Sequence, residues 1–212
     1  MKTQIKKPIF IGIINHNQTP NNRSIQIVSE WCMEIDGQHE SVIVDTAEMS
    51  EEQFCERITN LIQNRPAACM YFCLHGTHEN TEEFPNGQEF LLLNPTTKIT
   101  DKNFTTFISS LTVPRLSMFF EVCYSGGLIN TLLCDTSLMP IDRSLIMFTA
   151  CSKDQKCWTI HHKSSTDYWS IGETSQWLVQ HHLNPFITPD KCYMAIRKNL
   201  PHLQPKYIVL RN

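Results

Sequence analysis

The sequence predicts an α/β protein: a single doubly wound, mostly parallel six-stranded sheet with helices on both faces. Three observations predict it. Apolar runs of strand length alternate with helix-length segments, the order expected when helices cover a parallel sheet. Several of these runs are almost continuously apolar, as central strands buried on both faces must be. Nothing marks a second domain within 1–212: the chain has no internal repeat, low-complexity tract or shift of composition, and 212 residues suit one domain of ordinary size.

The elements follow in order. Ile9 to Asn15 (IFIGIIN) is the first strand, with a helical pattern at about 22–36 behind it. Ser41 to Asp45 is the second, and Ser50 followed three residues later by Gln53 is a capping-box signature opening a helix over about 50–63. Ala68 to His75 forms the third strand. The segment QEFLLLN at 88–94, after PNG at 85–87, reads as a short extra strand or hairpin outside the main sheet. Helical patterns at about 101–111 and 126–134 precede the fourth strand, Leu116 to Cys123, and the fifth, Leu145 to Cys151. A further pattern covers about 166–182. The stretch 184–206, with Pro185, Pro189, Pro201 and Pro205, is expected to wrap the surface before a last edge strand, Tyr207 to Leu210. Right-handed crossovers assemble these strands into one sheet.

Composition narrows the function classes. With 41% apolar and 18% charged residues, the chain is an ordinary globular one, neither disordered nor collagen-like. The net charge of −3 arises from 18 bases and 21 acids without a long run of either sign, so no surface is built to hold a nucleic acid backbone. No run reaches the ~18 apolar residues of a membrane helix, and the apolar part of MKTQIKKPIFIGIIN is too short for a cleaved signal. A cytoplasmic protein is expected, with signal-independent export still compatible. Nine cysteines spread singly are a poor disulfide framework and point to reduced thiols. Cys32, Cys55, Cys134, Cys157 and Cys192 read as small buried hydrophobes.

In open α/β sheets, reactive groups collect beyond the carboxyl ends of the strands. The third strand ends in Leu74-His75-Gly76-Thr77 and the fourth in Glu121-Val122-Cys123-Tyr124-Ser125-Gly126-Gly127. Three of the seven glycines lie in these two turns, where each is expected to serve a positive φ or a close backbone approach. Cys123, just before a helix, would be favoured as thiolate by the helix dipole and a nearby imidazolium. His75 can then protonate a leaving amine, and the N–H groups of Gly76 and Cys123 can hold an oxyanion. Together these groups form an acyl-transfer site. Zinc is not expected: Cys69, Cys73 and His75 share strand parity, but Cys69 and His75 lie about 20 Å apart, too far for one ion. The pairs His161-His162 and His181-His182 point in alternating directions and are expected to be exposed. No cofactor or metal is predicted.

These residues resemble the caspase, metacaspase and legumain superfamily of cysteine peptidases. The likeness includes Ile13-Ile14-Asn15, Asn21-Asn22-Arg23-Ser24 and Phe148-Thr149-Ala150-Cys151, and runs in strand order from about 8 to 155. Cys123 follows His75 by 48 residues, similar to the ~50 of caspases. Glu121-Val122-Cys123 stands where caspases carry Gln-Ala-Cys and is closer to a legumain or metacaspase. The resemblance implies a caspase-like fold and a cysteine endopeptidase with a His75 and Cys123 dyad, a thioester acyl-enzyme and no cofactor. It also implies a specificity pocket containing Arg23, Glu121 and Asp154. Strand parity puts Glu121 on the same face as Cys123, and a buried carboxylate must be pocket-lining or paired, Arg23 being the candidate partner. The two acids favour Arg or Lys before the scissile bond, then Asn, then Asp. No third residue is clearly placed to orient His75. The expected partner is a protein or peptide substrate, with neither nucleic acid nor membrane, in a monomer or a homodimer formed through the C-terminal edge strand. The alternatives are a catalytically idle binding module and a legumain-like transpeptidase.

Overall fold

The computed structural model describes residues 6–17, 22–80, 88–135, 142–163 and 168–210. The first third of the chain forms β1 (Ile9–Ile14), α1 (Ser24–Asp36), β2 (Glu40–Asp45), α2 (Glu51–Ile62) and β3 (Ala67–Cys73). Next come β4 (His75–Glu79), β5 (Gln88–Asn94), β6 (Thr97–Thr100), α3 (Asp101–Ser110) and β7 (Arg115–Phe120). The remainder comprises α4 (Ser125–Leu128), α5 (Asn130–Cys134), β8 (Ser144–Thr149), β9 (Thr159–Lys163), β10 (Tyr168–Gly172), α6 (Glu173–Gln180), α7 (Pro189–Asn199) and β11 (Tyr207–Leu210).

The apolar runs pair into a six-stranded sheet in the order β2-β1-β3-β7-β8-β11. All neighbours are parallel except β11, which runs antiparallel to β8. Register carries apolar rows across it: Ile11 stands opposite Met70, Met70 opposite Met118, and Met118 opposite Met147. Every residue of β3 is buried.

Strand alternation divides the core in two. On one face Ile11, Met70, Phe72 and Phe120 meet Phe54 and Ile58 of α2 and Phe104 and Ile108 of α3. On the other, Phe10, Tyr71, Phe119 and Phe148 meet Val28 and Trp31 of α1, Leu178 of α6 and Ile196 of α7. Phe54 and Ile58, one helical turn apart, are fully buried, each contributing about 1.5–3 kcal/mol by area removed from water. The expected capping box opens α2, with Gln53 N donating to Ser50 Oγ (3.2 Å) and Ser50 N to Gln53 Oε1 (2.9 Å).

Several expectations are corrected. The third main strand stops at Cys73, and His75 begins β4, which joins β5 and β6 in a separate antiparallel sheet. Polar HGTHE cannot occupy the sealed sheet between β1 and β7, so the chain leaves it at Leu74. The helix expected at 126–134 is two short helices broken at Ile129. Within 166–182, Tyr168–Gly172 is a strand paired with β9, and helix begins only at Glu173. The supposed surface wrap at 184–206 contains α7, which Pro189 starts rather than prevents. Proline at the first helical position loses no hydrogen bond, and Asp190 in the first turn with Arg197 and Lys198 in the last complement the helix dipole.

The expectation of uniformly reduced thiols also fails, because Cys32 of α1 and Cys69 of β3 form a disulfide. Both are buried. Cys192 is packed away as expected, but Cys134 is exposed and Cys55 and Cys157 are half-buried. The PNG turn at 85–87 lies outside the described residues. Among those described, no helix is long and apolar enough to cross a membrane.

Candidate functional site

Because β3, β7 and β8 are parallel neighbours, their carboxyl ends open on one rim of the sheet. Cys123 follows β7 there, and Gly76 of β4 is pressed against it. A Cβ on Gly76 would lie 1.9 Å from the Cys123 carbonyl oxygen and 2.9 Å from Val122 Cγ1. Any side chain at position 76 would push the two segments apart. None of Gly76, Gly126 and Gly127 has a positive φ; close approach is what requires them. The left-handed conformation falls instead on Tyr124 (φ 58°, ψ 19°), directly after Cys123. Such a conformation costs a non-glycine residue about 1 kcal/mol or more.

Hydrogen bonds fix this turn to the loop after β8. Tyr124 N donates to Gln155 O (2.8 Å) and Gly126 N to Cys151 O (3.0 Å). Cys151 Sγ also donates to Gln155 O (3.2 Å). The Gln155 side chain reaches further: its Oε1 accepts from Ser152 N (3.4 Å) and from Gln204 N (2.7 Å), ahead of β11.

The loop gathers three thiols, Cys123, Cys151 and Cys157. Half-buried Cys123 Sγ donates to Cys157 O at 3.4 Å when protonated. Its pKa is lowered to about 6, chiefly because the Cys157 thiol donates to it; burial opposes this, while the Cys157 N–H, the Lys156 charge and its own N–H add to it. Cys157 is pushed well above the usual thiol range because its proton is held by hydrogen bonds to Cys123 and Cys151. Cys151 is lowered, again mainly by the Cys157 thiol. Neither the helix dipole nor an imidazolium is the leading cause at Cys123, and α4 is only four residues long.

His75 is exposed at the start of β4, and among the described residues no hydrogen bond joins its imidazole to Cys123. His78, on the same face of β4 as Gly76, pairs with Glu89 (Nδ1 to Oε1, 3.2 Å), and its ring centroid lies 6.2 Å from that of Tyr124.

Glu121 turns away from solvent. Its Oε2 accepts from Tyr71 Oη (2.7 Å) and Ser175 Oγ (2.7 Å), and its Oε1 from Ser175 N (2.8 Å). The carboxyl supplies the cap that Gly172, at the N-cap of α6, cannot. A Cβ on Gly172 would fall 1.7 Å from Glu121 Cδ, so the carboxyl at 121 requires glycine at 172. Burial pushes Glu121 up, against the hydrogen bonds from Tyr71, Ser175 and Ser24.

Arg23 and Asp154 lie further out. The Arg23 guanidinium lies 4.0 Å over the ring of Trp169, while the Arg23 backbone N–H donates to Ser170 O (2.8 Å). Arg23 and Trp169 wall a groove of about 790 Å³ between α1 and the edge strand β2. Ser24 Oγ accepts from Gly172 N (2.9 Å), linking this wall to the Glu121 network. Asp154 is exposed, its carboxylate 3.6 Å from Lys153 Nζ. Thus Cys123, Gly76 and the turn holding His75 are brought together, Glu121 is committed to α6, and Asp154 stands apart in solvent. The sequence reading placed Cys151 at the end of the fifth strand and Cys157 among the buried hydrophobes, and gave neither a role in the site. For Cys151 the signal was the carboxyl-end rule itself, since β8 ends at Thr149 on the same rim as β7; Cys157, further along the loop, carried none.

No known protein-family profile and no curated protein matches the chain. Among solved structures, it is similar to protein GSU0716 from Geobacter sulfurreducens, at 11% identity and a TM-score of 0.60, over 96% of this chain and 93% of that one. It also aligns with Raptor from Chaetomium thermophilum, at 9% identity and a TM-score of 0.39, over 73% of this chain and 16% of that one, a likeness on which nothing rests. The first likeness concerns the fold alone.

Proposed function

We propose that this chain is a cysteine endopeptidase of the doubly wound, caspase-like type, with Cys123 as nucleophile and His75 as general acid and base. The observation that carries the reading is a thiol lowered to about 6 on the sheet rim, against which the backbone beside His75 is pressed. At neutral pH Cys123 is mostly thiolate, the nucleophilic form. The thiolate attacks a peptide carbonyl carbon, and the N–H groups of Gly76 and Cys123 receive the oxyanion. His75 as imidazolium protonates the departing amine, leaving a thioester. Water then gives a proton to His75, attacks the thioester and releases the acid, and Cys123 leaves as thiolate. The residue before the scissile bond, ranked Arg or Lys, then Asn, then Asp by the sequence resemblance, is for the assay to fix, because Glu121 is spent on Tyr71 and Ser175 and Asp154 lies out in solvent.

A panel of fluorogenic peptides varied at that residue tests the reading. Hydrolysis is expected, and Cys123→Ala is expected to retain the fold and lose turnover by up to about 10⁶-fold. Activity retained in the variant sinks the proposal. A second reading, an idle caspase-like binding module, is favoured by the hydrogen bond of Cys123 Sγ to Cys157 O rather than to His75. A peptide halomethyl ketone separates the two: labelling of Cys123 in the folded protein supports the peptidase, and its absence supports the binding module.

A further inference from the structure

Cys157 has no part in acyl transfer, yet it is the group most intimately placed against Cys123. Its carbonyl lies 3.4 Å from Cys123 Sγ, and its thiol is the leading influence that lowers Cys123. The third thiol is held differently: Cys151 is buried, and its Sγ contacts Val122 O (3.4 Å), Gln155 O (3.2 Å) and Ser125 Oγ (3.6 Å). Those contacts pin Cys151 from several sides. Cys157 lies instead in a segment with neither helix nor strand, next to Trp158, which is 60% exposed. Of the two neighbours, it is the one whose backbone also meets Cys123 Sγ.

We infer that Cys123 is a peroxide-sensitive thiol and that Cys157 is its resolving partner, the two forming a reversible disulfide that closes the site. The thiolate of Cys123 attacks one oxygen of hydrogen peroxide, breaking the O–O bond. The products are Cys123 sulfenic acid and hydroxide, which takes up a proton to become water. Cys157 sulfur then attacks the sulfenic sulfur; the S–O bond breaks, the Cys157 proton leaves with the hydroxyl as a second water, and an S–S bond remains. Peroxide is reduced by two electrons and the thiol pair is oxidised by two. A dithiol reverses the bond by exchange. The disulfide also shields Cys123 from the irreversible sulfinic and sulfonic states. The inference rests on thiol placement alone and stands whether or not the chain cleaves peptides.

The test is a mass map of the folded protein after stoichiometric hydrogen peroxide, with free thiols blocked before digestion. The expected product links the Cys123 and Cys157 peptides and disappears on treatment with dithiothreitol. In Cys157→Ser, shown to be folded by circular dichroism, Cys123 should instead be trapped by dimedone as sulfenic acid and then pass to the sulfinic acid. The inference is overturned if wild-type Cys123 pairs with Cys151, does not react, or reaches the sulfinic acid while Cys157 remains a free thiol. The wild-type map decides the matter even if the variant does not fold.

Discussion

Cys55 on α2 and Cys192 on α7 are pushed up to about 11, chiefly by burial, whereas Cys123 on the sheet rim is lowered to about 6. Cys55 and Cys123 are both half-buried, so exposure does not separate them. The difference lies in what faces the sulfur. At Cys55 the next cause after burial is the Glu51 carboxylate, which also disfavours a second negative charge. Around Cys123 a thiol proton, two backbone N–H groups and the Lys156 charge converge because parallel strands end together there. Thiol chemistry in this molecule is set by position in the sheet.

The sealed half of that contrast supplies the largest expected effect. Cys32 and Cys69 are 37 residues apart in sequence, and loop closure of that size contributes about 3–4 kcal/mol in the chain-entropy account. Replacing both by serine should lower stability by roughly that amount in urea denaturation, while leaving Cys123 labelling unchanged. An unaltered unfolding midpoint would show that the bond contributes nothing.

A reactivity measurement addresses the contrast directly. At pH 7 the thiolate fractions of Cys123 and Cys55 differ by about 10⁴, and the lower nucleophilicity of the more acidic thiolate removes about half of that exponent. Iodoacetamide should therefore alkylate Cys123 on the order of 10²-fold faster, with a pH midpoint near 6. In Cys157→Ala the midpoint should rise, since the leading cause of the low value is gone. Equal rates at the two sites would break the comparison.

The smallest effect concerns Glu121, a buried carboxyl on the same strand end as Cys123. Its folded pKa is raised, so its stabilising contribution is fully present below the unfolded value of about 4.3 and declines as pH rises from there through the folded value. The slope reaches at most about 1.4 kcal/mol per pH unit. Glu121→Gln, which cannot ionise, should remove that slope from the pH dependence of thermal unfolding. A wild-type and variant difference that grows on acidification instead would reverse the sign argued for this group.

The central strands were legible because each is an apolar run that only a buried sheet accommodates, as the sealed AACMYFC of β3 illustrates; the edge strands β2 and β11, each with one buried residue, were legible from their β-branched content. Elements outside that sheet were harder to read. HGTHE of β4 has no apolar period, since its own side chains are exposed or half-buried while the buried ones of the ladder belong to β5. YWSIG was absorbed into a helical pattern because its pairing partner, TIHHK, is itself polar. At the site, Cys123 and Gly76 were legible as strand-end residues. Cys157 was not, because its importance comes from a loop that folds back over β7, a contact between segments 34 residues apart that no local pattern encodes. Glu121 was legible as a buried acid needing partners, but the partners are Tyr71 and Ser175 rather than Arg23.

Gln155 connects two parts of the molecule that are distant in sequence. Its backbone carbonyl holds the turn after Cys123, and its side-chain oxygen holds Gln204. Lys206 and Thr149 add a second clasp, with Lys206 N donating to Thr149 Oγ1 (2.8 Å) and Thr149 N to Lys206 O (2.9 Å). In mechanical terms, tension applied along β11 is delivered through Gln155 to the turn that carries the thiol. A tether or surface attachment placed on β11 therefore loads the reactive rim, whereas one on β2, at the opposite margin of the sheet, does not.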